Sequence, residues 1–404
     1  MNVMQSLVLA VMLWLVGGAG WAATLRVGPN ESIRSIAEAA RVARDGDVVE
    51  IVAANYQGDA AVAVWPQARL TIRGVGGRPV LVAAGQSAEG KGIWVVRGAD
   101  VLVENIVFRG ARVPDLNGSG IRHEQGRLTV RNCLFDDNEM GILTANRDSL
   151  ALIVENSEFS HGVLATPRLS HLLYAGRIAR LEVRGSYFHH GLIGHLLKSR
   201  ARFSLIEYNR LTDENGGRAS YELEFPNGGV AIVIGNLIQQ SAATENKRMV
   251  AFGAEGLTYE RNSVILSSNT LVDGLPAGGE FLAVWTPERV EVRTFNNLLV
   301  RTCDGLMCVE KQLREAGSRI QKGQLPWRDG VFPAEFGNRL ISRADAGSLL
   351  APGAYGSPLK DGPGPVAPGS LEGVSLVPSR EYVHPAQSRA LPDGLPAVPG
   401  AFQP

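Results

Sequence analysis

Val103-Glu104-Asn105-Ile106-Val107-Phe108, Val130-Arg131-Asn132-Cys133-Leu134-Phe135, Val154-Glu155-Asn156-Ser157-Glu158-Phe159 and Val183-Arg184-Gly185-Ser186-Tyr187-Phe188 are four copies of one template, Val-x-Asn/Gly-x-x-Phe. Weaker copies follow at Asn209, Asn236, Asn269 and Asn297, so the marked positions are spaced 27, 24, 29, 24, 27, 33 and 28 residues apart. A self-similar period in this range is the mark of a solenoid. Between successive copies lies a second short apolar run: Gly120–His123, Gly141–Thr144, His171–Tyr174 and His195–Lys198. The gaps leave no room for helices of ten residues, which disfavours helical and leucine-rich repeats and leaves coils of strands and turns.

The expected fold is therefore all-β: a single-stranded right-handed parallel β-helix. Stacked coils place equivalent residues about 4.8 Å apart, so the Asn positions predict an amide ladder and the Val, Leu and Phe positions predict continuous inner stacks. The Asn column is read as structural. An open coil end exposes apolar surface and needs a cover. Ile33, Ile36, Ala40 and Ala43 at helical spacing predict a capping helix over Ser32–Arg44 with Ser32 as its N-cap, followed by the strand Val48–Ile51. Beyond about Arg301 the repeat fades into a charged segment, Glu310–Arg319. From Ala351 onward Pro supplies 11 of 54 residues, too many for helix or strand. The expected division is a signal peptide over 1–22, the β-helix with its N-terminal cap over 23–345, and an irregular Pro- and Gly-rich C-terminal tail over 346–404.

With 404 residues, 45% of them hydrophobic, and 47 glycines, the chain reads as a turn-rich globular protein. Forty basic and forty acidic side chains cancel, which argues against a nucleic-acid binder or a polybasic membrane protein. Leu7–Val16 is an unbroken apolar run, too short for a spanning helix, and Gly20 and Ala22 fit small-x-small cleavage. No Lys or Arg precedes it, so an uncleaved anchor is the competing reading. Export to the periplasm or beyond is the expected location, with no stable membrane span after cleavage. Cys303 and Cys308 are close enough for a small disulfide loop, and Cys133 falls in a strand pattern.

The cap helix, the Gly-Asp-x-Val strand entry at Gly46-Asp47-Val48-Val49 and the Asn-bearing coils resemble the pectin-lyase-like superfamily over roughly residues 24–345. That resemblance implies a carbohydrate-active β-helix and leaves the reaction open, because the superfamily includes lyases, hydrolases, epimerases, esterases and adhesins.

Polar residues that the ladder does not require are concentrated in the middle coils. Five of seven histidines (161, 171, 189, 190 and 195) lie within 35 residues, and Arg168–Arg218 holds nine Lys or Arg against four Asp or Glu. A local positive field of this kind suits an acidic polysaccharide or oligosaccharide. The segments Ser170-His171-Leu172-Leu173-Tyr174 and Gly194-His195-Leu196-Leu197-Lys198 are offset by one coil, which places His171 under His195 and Tyr174 under Lys198. The next coil brings Tyr221, Glu222 and Glu224 beside Lys198, with Glu222 and Glu224 on one face and Tyr221 on the other by strand alternation. By the same rule His195 joins Lys198 only from a turn.

Lys198-Ser199-Arg200 and the following Glu207-Tyr208-Asn209 also look like the Lys-Ser-x…Asn signature of chondroitinase-B-like and alginate-lyase-like enzymes. The resemblance implies a Lys base, which carries over to Lys198, and an Arg one coil later, where this chain has Glu222 and, nearby, Arg218. It also implies calcium as the ion that neutralises the uronate carboxylate. The acidic calcium ligands have no counterpart, since His190–His195 occupies their place, and no other metal ligand set is read from the sequence.

β-Elimination needs a group that neutralises the carboxylate, a base for the adjacent carbon-bound proton, and an acid for the leaving oxygen. Lys198 serves as base only with a lowered pKa, and a neighbouring carboxylate opposes that; with Glu222 or Glu224 beside it, Lys198 becomes a charge anchor and the base and acid roles pass to His195 and Tyr174. Arg200, Arg218, Tyr221, Glu222, Glu224 and His171 are the expected substrate contacts. A glycoside hydrolase using two of Glu222, Glu224 and Asp213 is the second enzymatic reading. A non-catalytic glycan-binding or envelope scaffold is the alternative from a different class. The oligomeric state is left open.

Overall fold

The structure, a computed structural model, describes residues 22–164, 169–302, 332, 334–342, 365–392 and 398–402. The expected leader apart from Ala22, the Cys303–Cys308 pair and the charged segment Glu310–Arg319 lie outside these residues.

Three parallel sheets of nine, eleven and eleven strands form the body, and each full coil gives one strand to each. In one coil these are His195–Ser199 in sheet I, Phe203–Glu207 in sheet II and Arg210–Thr212 in sheet III. Every strand in them pairs in parallel with its equivalent one coil away, so the chain is a parallel β-solenoid. The interior is continuous along the axis. Phe108, Phe135, Phe159 and Phe188 stack face to face with centroid separations of 5.0, 4.7 and 4.6 Å, as coil spacing dictates.

The Asn pattern resolves into two adjacent columns rather than one. The corner between sheets II and III is two residues long in every coil from Asn105-Ile106 to Asn296-Asn297. Its first position has positive φ: Asn105 (59°), Asn132 (52°), Asn156 (49°), Gly185 (61°), Tyr208 (57°), Gly235 (64°), Ser268 (55°) and Asn296 (53°). Asn and Gly tolerate this left-handed backbone best, which explains the template in the early coils. The second position points inward. There Asn209, Asn236, Asn269, Asn297 and Asn338 form a buried ladder, each Nδ2 donating to the next Oδ1 at 3.0, 3.0, 3.0 and 2.9 Å. Register confirms the one-residue shift, because Arg184 pairs with Glu207 and so aligns Gly185 with Tyr208 and Ser186 with Asn209. Cys133, Ser157 and Ser186 hold the ladder position in earlier coils, with Ser186 N–H donating to Asn209 Oδ1 at 2.8 Å. Burial pushes the Cys133 thiol up to about 12.

The N-terminal helix is shorter than expected. It spans Ile36–Val42 and is capped by Ser35, whose Oγ accepts from Glu38 N–H at 3.1 Å; Ser32 is outside it. Ile33 is drawn instead into a β-bridge with Val27, which delays the helix start. Ile36, Ala39 and Ala40 are buried by packing on the first coils.

On the outer face of sheet II, cross-coil ion pairs join Glu50 to Arg73 and run from Glu104 through Arg131, Glu155 and Arg184 to Glu207. Arg180 and Arg184, counted in the positive segment of the sequence, are spent on this face. Beyond Glu207 the same face turns apolar, with Leu205, Tyr208, Ile232, Ile234 and Ile265 buried beneath Leu376 of the C-terminal segment. Contrary to the expectation that its prolines exclude strand, that segment holds two short hairpins, Ser370–Ser375 and Arg380–Ala390, in a stretch with only Pro378 and Pro385 between Ser370 and Ala390. It is tied down by hydrogen bonds from Ser379 N–H to Tyr208 Oη and from Ser267 Oγ to Leu376 O. Among the described residues no helix is long and apolar enough to cross a membrane.

Candidate functional site

Sheet I carries the site, because two consecutive residues point inward on its strands where alternation allows one. Leu172 and Leu173 belong to the core, as do Leu196 and Leu197. His171 and Tyr174, and likewise His195 and Lys198, are thereby left on the outer wall. In the next coil Glu222 and Leu223 take the inward positions, and Tyr221 and Glu224 face out.

Register places Tyr174 against Lys198 and Lys198 against Glu224, as the one-coil offset predicts for the first pair. Lys198 Nζ lies 3.1 Å from Glu224 Oε2 and 5.7 Å from the Tyr174 ring centre. His195 reaches the same carboxylate from within a strand rather than from a turn, with Nδ1 2.9 Å from Glu224 Oε2. This contact is close but lacks the alignment of a full hydrogen bond. The His195 ring lies 4.4 Å from that of His171, tilted by 47°, and meets Tyr221 edge-on at 4.8 Å. His171 Nδ1 accepts the backbone N–H of His195 at 3.0 Å, so that nitrogen is committed to holding the strand.

A residue that sequence reasoning missed completes the group. Glu255 lies on an enlarged corner, Gly253–Asn262, between sheets I and II. Its Oε1 is 2.8 Å from Lys198 Nζ and its Oε2 is 2.6 Å from Arg200 Nη2. Arg200 Nε also donates to the Tyr174 hydroxyl oxygen at 2.7 Å, and Nη1 donates to Asn227 Oδ1. The Tyr259 hydroxyl, from the same corner, donates to Arg200 O at 2.5 Å. No period leads from Lys198 to Glu255, because the corner is an insertion and its side chain reaches back over two coils.

The electrostatics follow from burial and pairing. Burial pushes the Glu224 carboxyl up, and contacts with His195 and Lys198 more than reverse this, leaving it below its ordinary value. Glu255 behaves alike, with Lys198 and Arg200 overcoming burial. Burial lowers the His195 imidazole despite Glu224, and lowers His171 further. At neutral pH both rings are therefore neutral.

Two expected contacts are placed elsewhere. Glu222 does not stand beside Glu224: it is 0% exposed, falls opposite Leu196, and neither carboxylate oxygen has a hydrogen-bond partner. Strand alternation fails here because position 222 belongs to the inward pair, in the column that Gly141, Leu172 and Leu196 occupy in the three preceding coils. Burial and the nearby Asp213 charge push Glu222 well above its ordinary pKa, and burial raises Asp213 to about 7. Arg218 is half-buried in the turn before Tyr221–Phe225, its N–H bonded to Gly191 O, and no described contact joins its guanidinium to Lys198. Of the three carboxylates weighed for hydrolysis, Glu222 and Asp213 are sealed inside and Glu224 alone reaches the wall.

His161, His189 and His190 form a separate group along sheet III: His189 Nε2 lies 3.1 Å from Glu158, and His161 Nδ1 2.7 Å from Asp136. Among the described residues no group of three or more His, Cys, Asp or Glu side chains is placed to hold a metal ion. A cavity of 620 Å³ bordered by Arg202, Phe203, Tyr259 and Arg261 lies around the corner from Lys198, on sheet II.

No family model matches this chain, and neither a curated protein nor a solved structure is significantly similar to it.

Proposed function

We propose that the chain is an exported, carbohydrate-active protein of the pectin-lyase-like kind, its coils right-handed as parallel crossovers generally are, its N-terminal helix a cap and its Pro-rich tail a wrap. It acts on an acidic polysaccharide by β-elimination at uronate residues. The observation that carries this reading is the convergence of Lys198, Arg200, His195 and Tyr174 on one wall of sheet I.

In this mechanism Lys198 and Arg200 bind the uronate carboxylate and disperse the charge that develops on it. Flanked by Glu224 and Glu255, Lys198 has the surroundings of a charge anchor, so the base is the neutral His195 imidazole, oriented by Glu224. His195 takes the proton on the carbon next to the carboxylate, the carbon–carbon double bond forms, and the bond to the leaving glycosidic oxygen breaks. Tyr174 accepts a hydrogen bond from Arg200, which leaves its own proton for that oxygen.

The test is a screen of purified protein against uronate polymers, following ultraviolet absorbance of unsaturated ends. Absorbance that grows with wild type and vanishes in His195→Ala and Lys198→Ala supports elimination; reducing ends without absorbance point to hydrolysis. The second reading is a non-catalytic glycan-binding or envelope scaffold, favoured by the internal pairing of both site cations. Binding without either product would establish it.

A further inference from the structure

Glu255 is bound by the site in the way a ligand carboxylate would be. Its two oxygens divide between Lys198 Nζ at 2.8 Å and Arg200 Nη2 at 2.6 Å, the bidentate geometry with which paired cations recognise a carboxylate. Lys198 and Arg200 are otherwise well sequestered, with side chains 9% and 17% exposed, whereas Glu255 is 43% exposed. The acid therefore enters from the solvent side, over cations already fixed to the wall by Glu224, Tyr174 and Asn227.

The backbone beneath Glu255 is anchored. Gly253 N–H donates to Phe225 O at 2.8 Å and Glu255 N–H to Pro226 O at 2.9 Å, with Gly253 (φ 82°) and Gly256 (φ 89°) making the turns on either side. Displacement thus needs rotation of the Glu255 side chain alone. Its half-exposed ion pairs cost little to exchange for those of an incoming carboxylate. With Glu255 in place, the two cations face two carboxylates, Glu224 and Glu255. With Glu255 swung out, one positive charge is left unbalanced at the subsite.

We infer that Glu255 is a tethered substitute for the ligand's carboxylate, occupying the subsite formed by Lys198 Nζ and Arg200 Nη2, and that a uronate residue binds by displacing it. This rests on the acidic-glycan reading and extends it: the subsite takes a single planar carboxylate, and the free protein holds it closed. Affinity is then reduced by the fraction of molecules in which Glu255 is seated.

Calorimetric titration of wild type, Glu255→Gln and Arg200→Ala/Glu255→Gln tests this. The probes are trisaccharides of galacturonate, mannuronate and guluronate, with maltotriose and inorganic sulfate as controls. Glu255→Gln is expected to bind at least one uronate trisaccharide about tenfold more tightly than wild type, with no gain for maltotriose or sulfate. The double variant is expected to lose that gain. Because Glu255 is half-exposed, the single variant retains the fold, which circular dichroism checks. Unchanged or weaker uronate binding in Glu255→Gln overturns the inference and leaves the proposed function standing. An equal gain for sulfate also overturns it, as mere unmasking of charge. Failure of every variant to bind any uronate probe overturns both.

Discussion

His195 and Lys198 stand three positions apart on one strand, yet both place a nitrogen within about 3 Å of the same Glu224 oxygen, at 2.9 and 3.1 Å. Regular alternation would send them to opposite faces. The pair Leu196 and Leu197, both inside, turns them to the same side, where the proposed mechanism uses them as base and charge anchor with Glu224 as the orienting acid.

Removing the charge of Glu224 while keeping its shape should uncouple this group. Glu224→Gln is expected to lower turnover by about 10²-fold, and His195→Ala by about 10²- to 10⁴-fold, the range for general acid–base groups. Unsaturated-end absorbance at saturating polymer measures both.

The buried imidazoles set an acid limit on stability. His195 and His171 have folded pKa values below 6.5 because of burial. The unfolded chain then takes up protons first, so their contribution is fully present above about pH 6.5 and is lost as pH falls through the folded values. Urea midpoints should fall between pH 7 and pH 5, and His171→Gln should flatten that slope.

Glu222 acts in the opposite direction. Its folded pKa is raised by burial and by Asp213, so the cost of keeping it protonated is absent below its ordinary value and grows as pH rises toward the folded one. Its column neighbours Leu196 and Met249 are core residues. Glu222→Leu is expected to stabilise the fold by about 1–4 kcal/mol at pH 8 and by less at pH 4.5, read from denaturant unfolding at both.

The two Asn columns should respond differently. Asn236 accepts from Asn209 N–H at 2.9 Å and donates to Ile206 O at 2.8 Å inside the core, so Asn236→Ala is expected to cost about 2–4 kcal/mol. Asn132, at φ 52° on an outer corner, should accept glycine within about 1 kcal/mol. Paired thermal melts decide it.

Leu376→Asp should undock the C-terminal segment by placing a charge in a fully buried apolar site. The expected outcome is rapid proteolysis after about residue 365 and new binding of a hydrophobic dye, with sheet content unchanged by circular dichroism.

The solenoid was legible because a coil repeats its constraints: the Phe stack and the parallel pairing follow directly from residues 103–188. The Asn ladder was only half legible. An outer Asn selected for left-handed backbone and an inner Asn selected for hydrogen bonding look the same as letters, and they sit one position apart. Tyr174 over Lys198 followed from the period, as did a carboxylate from the next coil. Which carboxylate did not, since Glu222 and Glu224 differ only in where the strand breaks alternation. The positive segment of the sequence does not become one patch, because each coil distributes its charges over three faces: Arg180 and Arg184 fall on sheet II, Lys198 on sheet I. Glu255 left no signal at all in the period.

The corner between sheets II and III is two residues long from Asn105 to Asn297, whereas the segments joining sheet III back to sheet I vary from three residues after Asp136 to ten after Ser160. Among the described coils, segment length varies only away from the ladder. The corners between sheets I and II vary too, from two residues after Thr144 to ten after Phe252, the one bearing Glu255. Exchanging loops at the variable corners would therefore alter the proposed recognition wall while leaving the hydrogen-bonded spine of the solenoid in place.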